Sequence, residues 1–321
     1  MVLDLAIWLF LFVMGYLLVY FFADYVIDIL EDFSEVYNIS PMLVGLFILG
    51  IDLEESTVSL IAALNDLPYI SLGNLIGNTI IAVAISFGLP VLLYRFEISQ
   101  IPSFYYGVLL VSGLSITVSM IFPQFLLLFA LVNILLFGTY TLYSIKIHRE
   151  YQIYEITNET IENDNNEDEE DEENHFLILK IIIALGIIFL GAEMLIFSAE
   201  QLIEYTGLTE TFFGLVIMAF VTNVEEFWLI ANAIKKGQIT LGISAEIGKI
   251  LWNITLIYGI CGLLLVSIKS QTIMLLSSLV FIGLIGLLVF NLMKANLSKR
   301  TGIIYMVILA VFIVLNGFYA L

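Results

Sequence analysis

Residues 38–56 read NISPMLVGLFILGIDLEES and residues 207–227 read GLTETFFGLVIMAFVTNVEEF. Each is an apolar run that closes on two adjacent glutamates, Glu54–Glu55 in the first and Glu225–Glu226 in the second. A carboxylate held at membrane depth costs roughly 3 kcal/mol, so it must face water, a partner or an ion. That such a pair occurs twice points to duplication, and the flanks agree. GYLLVYFFAD (15–24) and GAEMLIFSAE (191–200) share Gly, Ala and an acid at one spacing, and a second acid follows in each, Asp28 and Glu204. Downstream, Gly77 lies 22 residues after Glu55, and Gly248 lies 22 after Glu226.

The rest of the chain has the composition of a membrane protein. It is 61% hydrophobic with mean hydropathy +1.05, too apolar for a surface that must stay wet. Ten spans are predicted, near 4–30, 41–65, 71–94, 101–122, 124–146, 176–203, 210–234, 239–267, 271–293 and 301–320. The first has no basic start and no small-residue cleavage site, so it reads as a span and not as a signal peptide. The fold class is therefore all-α integral membrane, with 1–147 and 176–321 as two five-helix repeats. An odd number of spans per repeat requires the second to insert upside down.

The net charge of −19 is concentrated in the one long hydrophilic stretch, 148–175, where eleven acids lie between Glu155 and Glu173. It is too polar to bury anything and reads as a disordered linker without EF-hand spacing. Basic residues set the orientation. With the N-terminus outside, nine fall on the inner side (Arg95, Lys146, Arg149, Lys180, Lys235, Lys236, Lys294, Lys299, Arg300) and only Lys269 outside. The acidic linker is then cytoplasmic and both termini are external. Cys261 is the single cysteine, and His148 and His175 flank the linker, which argues against histidine-based metal catalysis. Nothing suggests nucleic-acid binding.

In its two motif pairs the sequence resembles the sodium/calcium exchanger superfamily of calcium:cation antiporters. That family carries, in each repeat, a G-T-S-L-P-E-L type motif followed by a G-N-x-x-G-S-N type motif. Here the first repeat reads GIDLEES (50–56) and GNLIGNT (73–79); the second reads VTNVEEF (221–227) and SAEIGKI (244–250). The resemblance implies ten helices, no cofactor, and inorganic cations as partners within the lipid bilayer. It implies that Glu55 and Glu226 coordinate calcium. Glu54 and Glu225 stand where the family has proline, which breaks the helix there. Gly50 permits such a break in the first repeat; Val221 helps less in the second.

Carboxylate oxygens are hard ligands suited to calcium, magnesium, manganese or sodium. Asp52, Asn74, Asn78, Thr79, Thr222 and Asn223 are placed to add oxygens to the four glutamates, and inversion brings the second and seventh spans together near the midplane. Lys249 is the main departure. It occupies the counterpart of Asn78, where the family usually has serine, and it needs an acidic neighbour such as Glu246, Glu225 or Glu226. It either braces helices by charge pairing or replaces one bound cation. Asp24 and Asp28 lie toward a helix end, which favours a role in gating or interfacial solvation. Ile51, Val221, Lys249 and Ile250 displace groups of the family's sodium sites, so the counter-ion is sodium or a proton. The expected function is a calcium antiporter working by alternating access, with glycines at 73–77, 214 and 248 allowing close helix approach. Another divalent cargo and a non-transporting ion sensor are the alternatives. Hydrolysis at an intramembrane metal site would need histidine or asparagine partners on other spans and does not fit.

Overall fold

The computed structural model describes residues 2–36, 50–94, 102–156, 170–223, 234–235, 239–294 and 297–320. These form ten helical elements in chain order: α1 (Val2–Val36), α2 (Leu53–Leu64), α3 (Pro68–Leu93), α4 (Ser103–Ile121), α5 (Leu126–Ile156), α6 (Glu170–Thr206) and α7 (Glu210–Thr222), then α8, α9 (Thr272–Met293) and α10 (Lys299–Gly317). Helix α8 runs from Ile239–Trp252 through a π-turn, Asn253–Ile257, into Tyr258–Leu265. Among the described residues eight helices are long and apolar enough to cross a membrane. The shorter α2 and α7 fall within the second and seventh predicted spans, whose remaining residues, 41–49 and 224–233, lie outside the described ones.

The flanks of the acidic linker depart from expectation. Helix α5 continues through Ile156 and α6 already begins at Glu170, so 148–156 and 170–175 are helical; residues 157–169 lie outside the described set. Acids read as disorder by composition, yet the backbone from Glu170 onward is helical.

Turn chemistry explains the sharp link between α2 and α3. Asp66 adopts φ 58°, and Leu67 N–H returns to Ala62 O at 2.9 Å while Asp66 N–H reaches Ala63 O at 3.2 Å. This left-handed stop is followed at once by Pro68, whose fixed φ suits the first position of a helix.

Packing places α3 at the centre: every residue from Ile70 to Ala84 is buried. The large exposed apolar side chains lie instead on outer helices, for example Phe10 on α1, Leu135 and Leu142 on α5, Leu190 on α6 and Val314 on α10. That distribution suits a hydrocarbon solvent, where polar groups turn inward. Two glycine crossings fix the core. A Cβ on Gly77 would sit 2.0 Å from Leu215 O, and one on Gly214 would sit 2.3 Å from Tyr69 O, so α3 and α7 meet backbone to backbone. The long helices α1 and α6 cross reciprocally, a Cβ on Gly15 lying 2.8 Å from Gly191 O and one on Gly191 lying 3.0 Å from Gly15 O. The close approach expected of Gly73, Gly77 and Gly214 is present.

The helix irregularities recur with a fixed offset. Glu55 and Glu226 are 171 residues apart, as are Gly88 and Gly259. Each of those two glycines closes against a peripheral helix, Gly88 against Tyr305 on α10 and Gly259 against Ala130 on α5. The π-turns Val83–Gly88 and Asn253–Ile257 start 170 residues apart and end 169 apart, within two residues of that offset. In α3 the cause is visible, because Pro90 removes a backbone donor just beyond the wide turn.

Candidate functional site

The site is built from the start of α2. Gly50 forms a turn and Ile51 and Asp52 are non-helical, so a helix starts just before the first glutamate pair; the residues preceding Gly50, on which the predicted break also depends, lie outside the described ones. Asp52 caps the new helix: its Oδ1 accepts from Glu55 N–H at 3.1 Å, and the Ser56 hydroxyl donates to its carbonyl. Glu54 and Glu55 thus occupy the first turn, where unsatisfied N–H groups and the helix dipole favour negative charge. Both are buried, Glu55 to 1% exposure.

Helix α3 supplies the facing wall. Asn78 Nδ2 donates to Glu55 Oε1, and Asn74 Nδ2 donates to Ser59 Oγ at 3.1 Å. A carboxylate oxygen can only accept, so the Asn78 amide is oriented by the contact. Thr79 is buried and donates its hydroxyl to Leu75 O in its own helix at 3.0 Å, leaving its lone pairs as its remaining capacity. Asp52, Glu55 and Asn78 therefore form one hydrogen-bonded group, with Asn74 and Thr79 beside it on the same helix.

From the second half, α7 ends at Thr222 with a turn at Asn223, immediately before the second glutamate pair. Both residues are buried. Thr222 Oγ1 donates to Met218 O at 3.1 Å and Asn223 Nδ2 donates to Ala219 O at 2.6 Å. Glu225 and Glu226 lie outside the described residues. Among the described residues no three of His, Cys, Asp and Glu gather closely enough to hold a metal. Glu246 is fully buried on α8.

Lys249 finds a neighbour that sequence reasoning did not name. Half-buried on α8, it lies within electrostatic reach of Asp24 on α1. The acids weighed beforehand were nearer along the chain or in the repeat, whereas packing brings the long first helix alongside. Asn253 was missed altogether. Its Nδ2 donates to Asp52 Oδ2 at 2.7 Å, and the adjacent Trp252 donates its indole N–H to Ser56 Oγ at 2.7 Å. The signal was a lone amide inside the apolar run LWNITL, four residues and one helical turn past Lys249.

One rim of the molecule is tied across the two halves. Leu67, which precedes α3, has no capping oxygen, and Glu210 of α7 supplies one: its Oε1 accepts from Tyr69 N–H at 2.8 Å and Ile70 N–H at 3.2 Å. Tyr69 OH donates to Lys269 O at 3.2 Å, and within the second half Thr209 Oγ1 donates to Tyr319 O at 3.0 Å.

A model for sodium/calcium exchanger protein matches residues 7–146 and 176–318, omitting the acidic linker between them. The chain belongs to the sodium/calcium exchanger family. Members of this family are transporters and not enzymes. The chain is 25% identical over 291 residues to the inner membrane protein YrbG of Escherichia coli (strain K12), covering 84% of this chain and 86% of that one. Its fold matches the sodium-calcium exchanger NCX_Mj. The structure soaked with 10 mM Na+ and 10 mM Sr2+ has TM-score 0.63 and 19% identity, over 97% of this chain and 98% of that one. The structure soaked with 10 mM Na+ and zero Ca2+ has TM-score 0.60 and 19% identity. This exchanger-family chain is thus a multi-pass helical membrane protein of the cation-antiporter class.

Proposed function

We propose that the protein exchanges calcium for sodium or protons by alternating access to a single midplane site. The observation that carries this reading is Glu55: a carboxylate at 1% exposure, at a helix N-terminus, held by Asn78 and set beside Asp52 within one apolar bundle. Glu55 and Glu226 are the principal ligands in this reading. Glu54, Glu225, Asp52, Asn74, Asn78, Thr79, Thr222 and Asn223 supply further oxygens. Calcium takes six to eight such oxygens, a demand that carboxylates and amides from both halves can meet together. A site so negative is costly to move empty, which enforces exchange.

The architecture in this reading is ten spans in two inverted repeats, 1–147 and 176–321, around the linker 148–175. It is supported by the 171-residue offset that relates the glutamate pairs and the glycine contacts at 88 and 259, and by π-turns that match it to within two residues. The excess of basic residues sets the linker in the cytoplasm and both termini outside. Helices α1 and α6, in contact at Gly15 and Gly191, are the pair that slides or tilts to open the site to either side. Lys249 favours a modified cycle, in which its ammonium stands in for one monovalent cation.

Radioactive calcium uptake into proteoliposomes tests the reading, driven in parallel by outward sodium and outward proton gradients. Wild type is expected to accumulate calcium under one gradient, and Glu55→Gln and Glu226→Gln under neither. Absence of uptake by folded wild-type protein under both gradients would overturn calcium antiport and favour another divalent cargo or an ion sensor.

A further inference from the structure

Two adjacent residues of α8 reach the first turn of α2, although neighbours on a regular helix point about 100° apart. Asn253 donates to the Asp52 side chain, and Trp252 donates its indole N–H to Ser56 Oγ at 2.7 Å. The π-turn that begins at Asn253 is the local cause, since a wider turn changes the angle between successive side chains. Chemistry fixes the direction of the second contact. An indole N–H only donates, so Ser56 Oγ accepts, and its own proton goes to the Asp52 carbonyl, which also takes Ser56 N–H at 3.1 Å. Trp252, Ser56 and the Asp52 carbonyl therefore form one directed chain in which each bond polarises the next. Ser56 is buried to 5% exposure, so bulk water does not compete with the indole.

This chain ends on the turn that carries the buried acids. Glu54 and Glu55 lie between Asp52 and Ser56, and Glu55 N–H is itself held by Asp52 Oδ1 at 3.1 Å. Any rotation or fraying of the turn would move Glu55 away from Asn78. Trp252 is steered in its turn by Phe137 of α5, which its ring meets edge-on, with 5.6 Å between centroids and 84° between planes. The other half has no chemical equivalent. The residue 171 before Trp252 is Ile81 and the residue 171 after Ser56 is Phe227, and neither side chain can donate or accept. A side-chain hydrogen bond at this register is confined to one half.

We infer that Trp252 is a positioning residue: through Ser56 it holds the first turn of α2 in the orientation in which Asp52 and Glu55 meet the cation. This rests on the proposed transport site and deepens it by naming a residue that sets ion affinity without touching the ion. A turn already in place when the ion arrives leaves less ordering to be done on binding. The tie accordingly acts on affinity and not on the rate at which the loaded protein turns over.

Two substitutions break the chain from opposite ends. Trp252→Phe keeps a ring against Phe137 and removes the donor, while Ser56→Ala retains the indole and removes the hydroxyl. Calcium and sodium are each titrated by calorimetry into the purified full chain, as wild type, both single variants, the double variant and Glu55→Gln. For the ion that wild type binds and Glu55→Gln loses, Trp252→Phe is expected to bind about fivefold more weakly, the scale of one hydrogen bond. The double variant is expected to match Ser56→Ala, because both changes break one chain. In self-exchange of that ion across proteoliposomes, Trp252→Phe is expected to raise the half-saturating concentration by a similar factor, with the maximal rate within about twofold of wild type. A lowered thermal midpoint with unchanged affinity would make Trp252 a brace and overturn the inference. So would losses that multiply in the double variant, which would mean that Trp252 and Ser56 act apart. Should Trp252→Phe not fold, Ser56→Ala decides, and unchanged affinity there overturns the inference equally. Binding unaffected by Glu55→Gln would instead overturn the transport site itself, and binding of neither ion by wild type would overturn both.

Discussion

Positions 78 and 249 are 171 residues apart and occupy the same place in the two halves, yet they behave oppositely. In the first half Asn78, neutral and buried, donates directly to Glu55. In the second half the residue is Lys249, within electrostatic reach of Asp24 of the long helix α1. The first half keeps an amide against a buried carboxylate, and the second sets a lysine toward the long helix α1. In the proposed cycle, the first of these places supports a ligand and the second links the core electrostatically to the helix that moves.

The largest effect is expected from imposing the second half's choice on the first. Asn78→Lys sets an ammonium against Glu55, and a unit charge at about 4 Å with an effective dielectric near 20 is worth about 4 kcal/mol. Initial calcium uptake is expected to fall about a hundredfold or more; uptake within a fewfold of wild type would break the comparison. The reverse change, Lys249→Met, is expected to keep transport while altering the exchange ratio by one monovalent charge, read as a shifted reversal potential. An unchanged ratio would reduce Lys249 to a structural brace. Asp24→Asn, by uncoupling Lys249 from α1, is expected to slow turnover a fewfold. The double variant Asp24→Asn/Lys249→Met should be no slower than the slower single one, because coupled sites are not additive. The smallest effect belongs to the rim. Glu210→Gln keeps an acceptor for Tyr69 and Ile70 but loses the charge at the α3 N-terminus, about 0.5 kcal/mol, seen as a slightly lowered thermal unfolding midpoint.

The sequence made some of this architecture legible and hid the rest for identifiable reasons. Apolar runs located the helices because hydrocarbon tolerates little else over a span of about 20 residues. Gly77 and Gly214 were readable as crossing points, since only glycine lets two backbones meet. The non-helical stretch before Leu53 was readable from Gly50 and the adjacent acids. Asn253 was not, because its importance lies in the side chain of Asp52, 201 residues away, and no local pattern records that. The link between Lys249 and Asp24 was hidden in the same way: both residues were noted, but tertiary packing alone decided that they meet. The helical ends at 148–156 and 170–175 were obscured because an acidic composition signals both disorder and a favourable helix N-terminus.

Calcium self-exchange across proteoliposomes tests the central claim most directly, since it needs the site and alternating access but no particular counter-ion. Vesicles are loaded with radioactive calcium and efflux is followed with and without external calcium, in wild type and Glu55→Gln. The account predicts efflux from wild type that depends on external calcium and is lost in Glu55→Gln. Efflux that ignores external calcium, or that survives in Glu55→Gln, would contradict a single exchanging site built on that carboxylate.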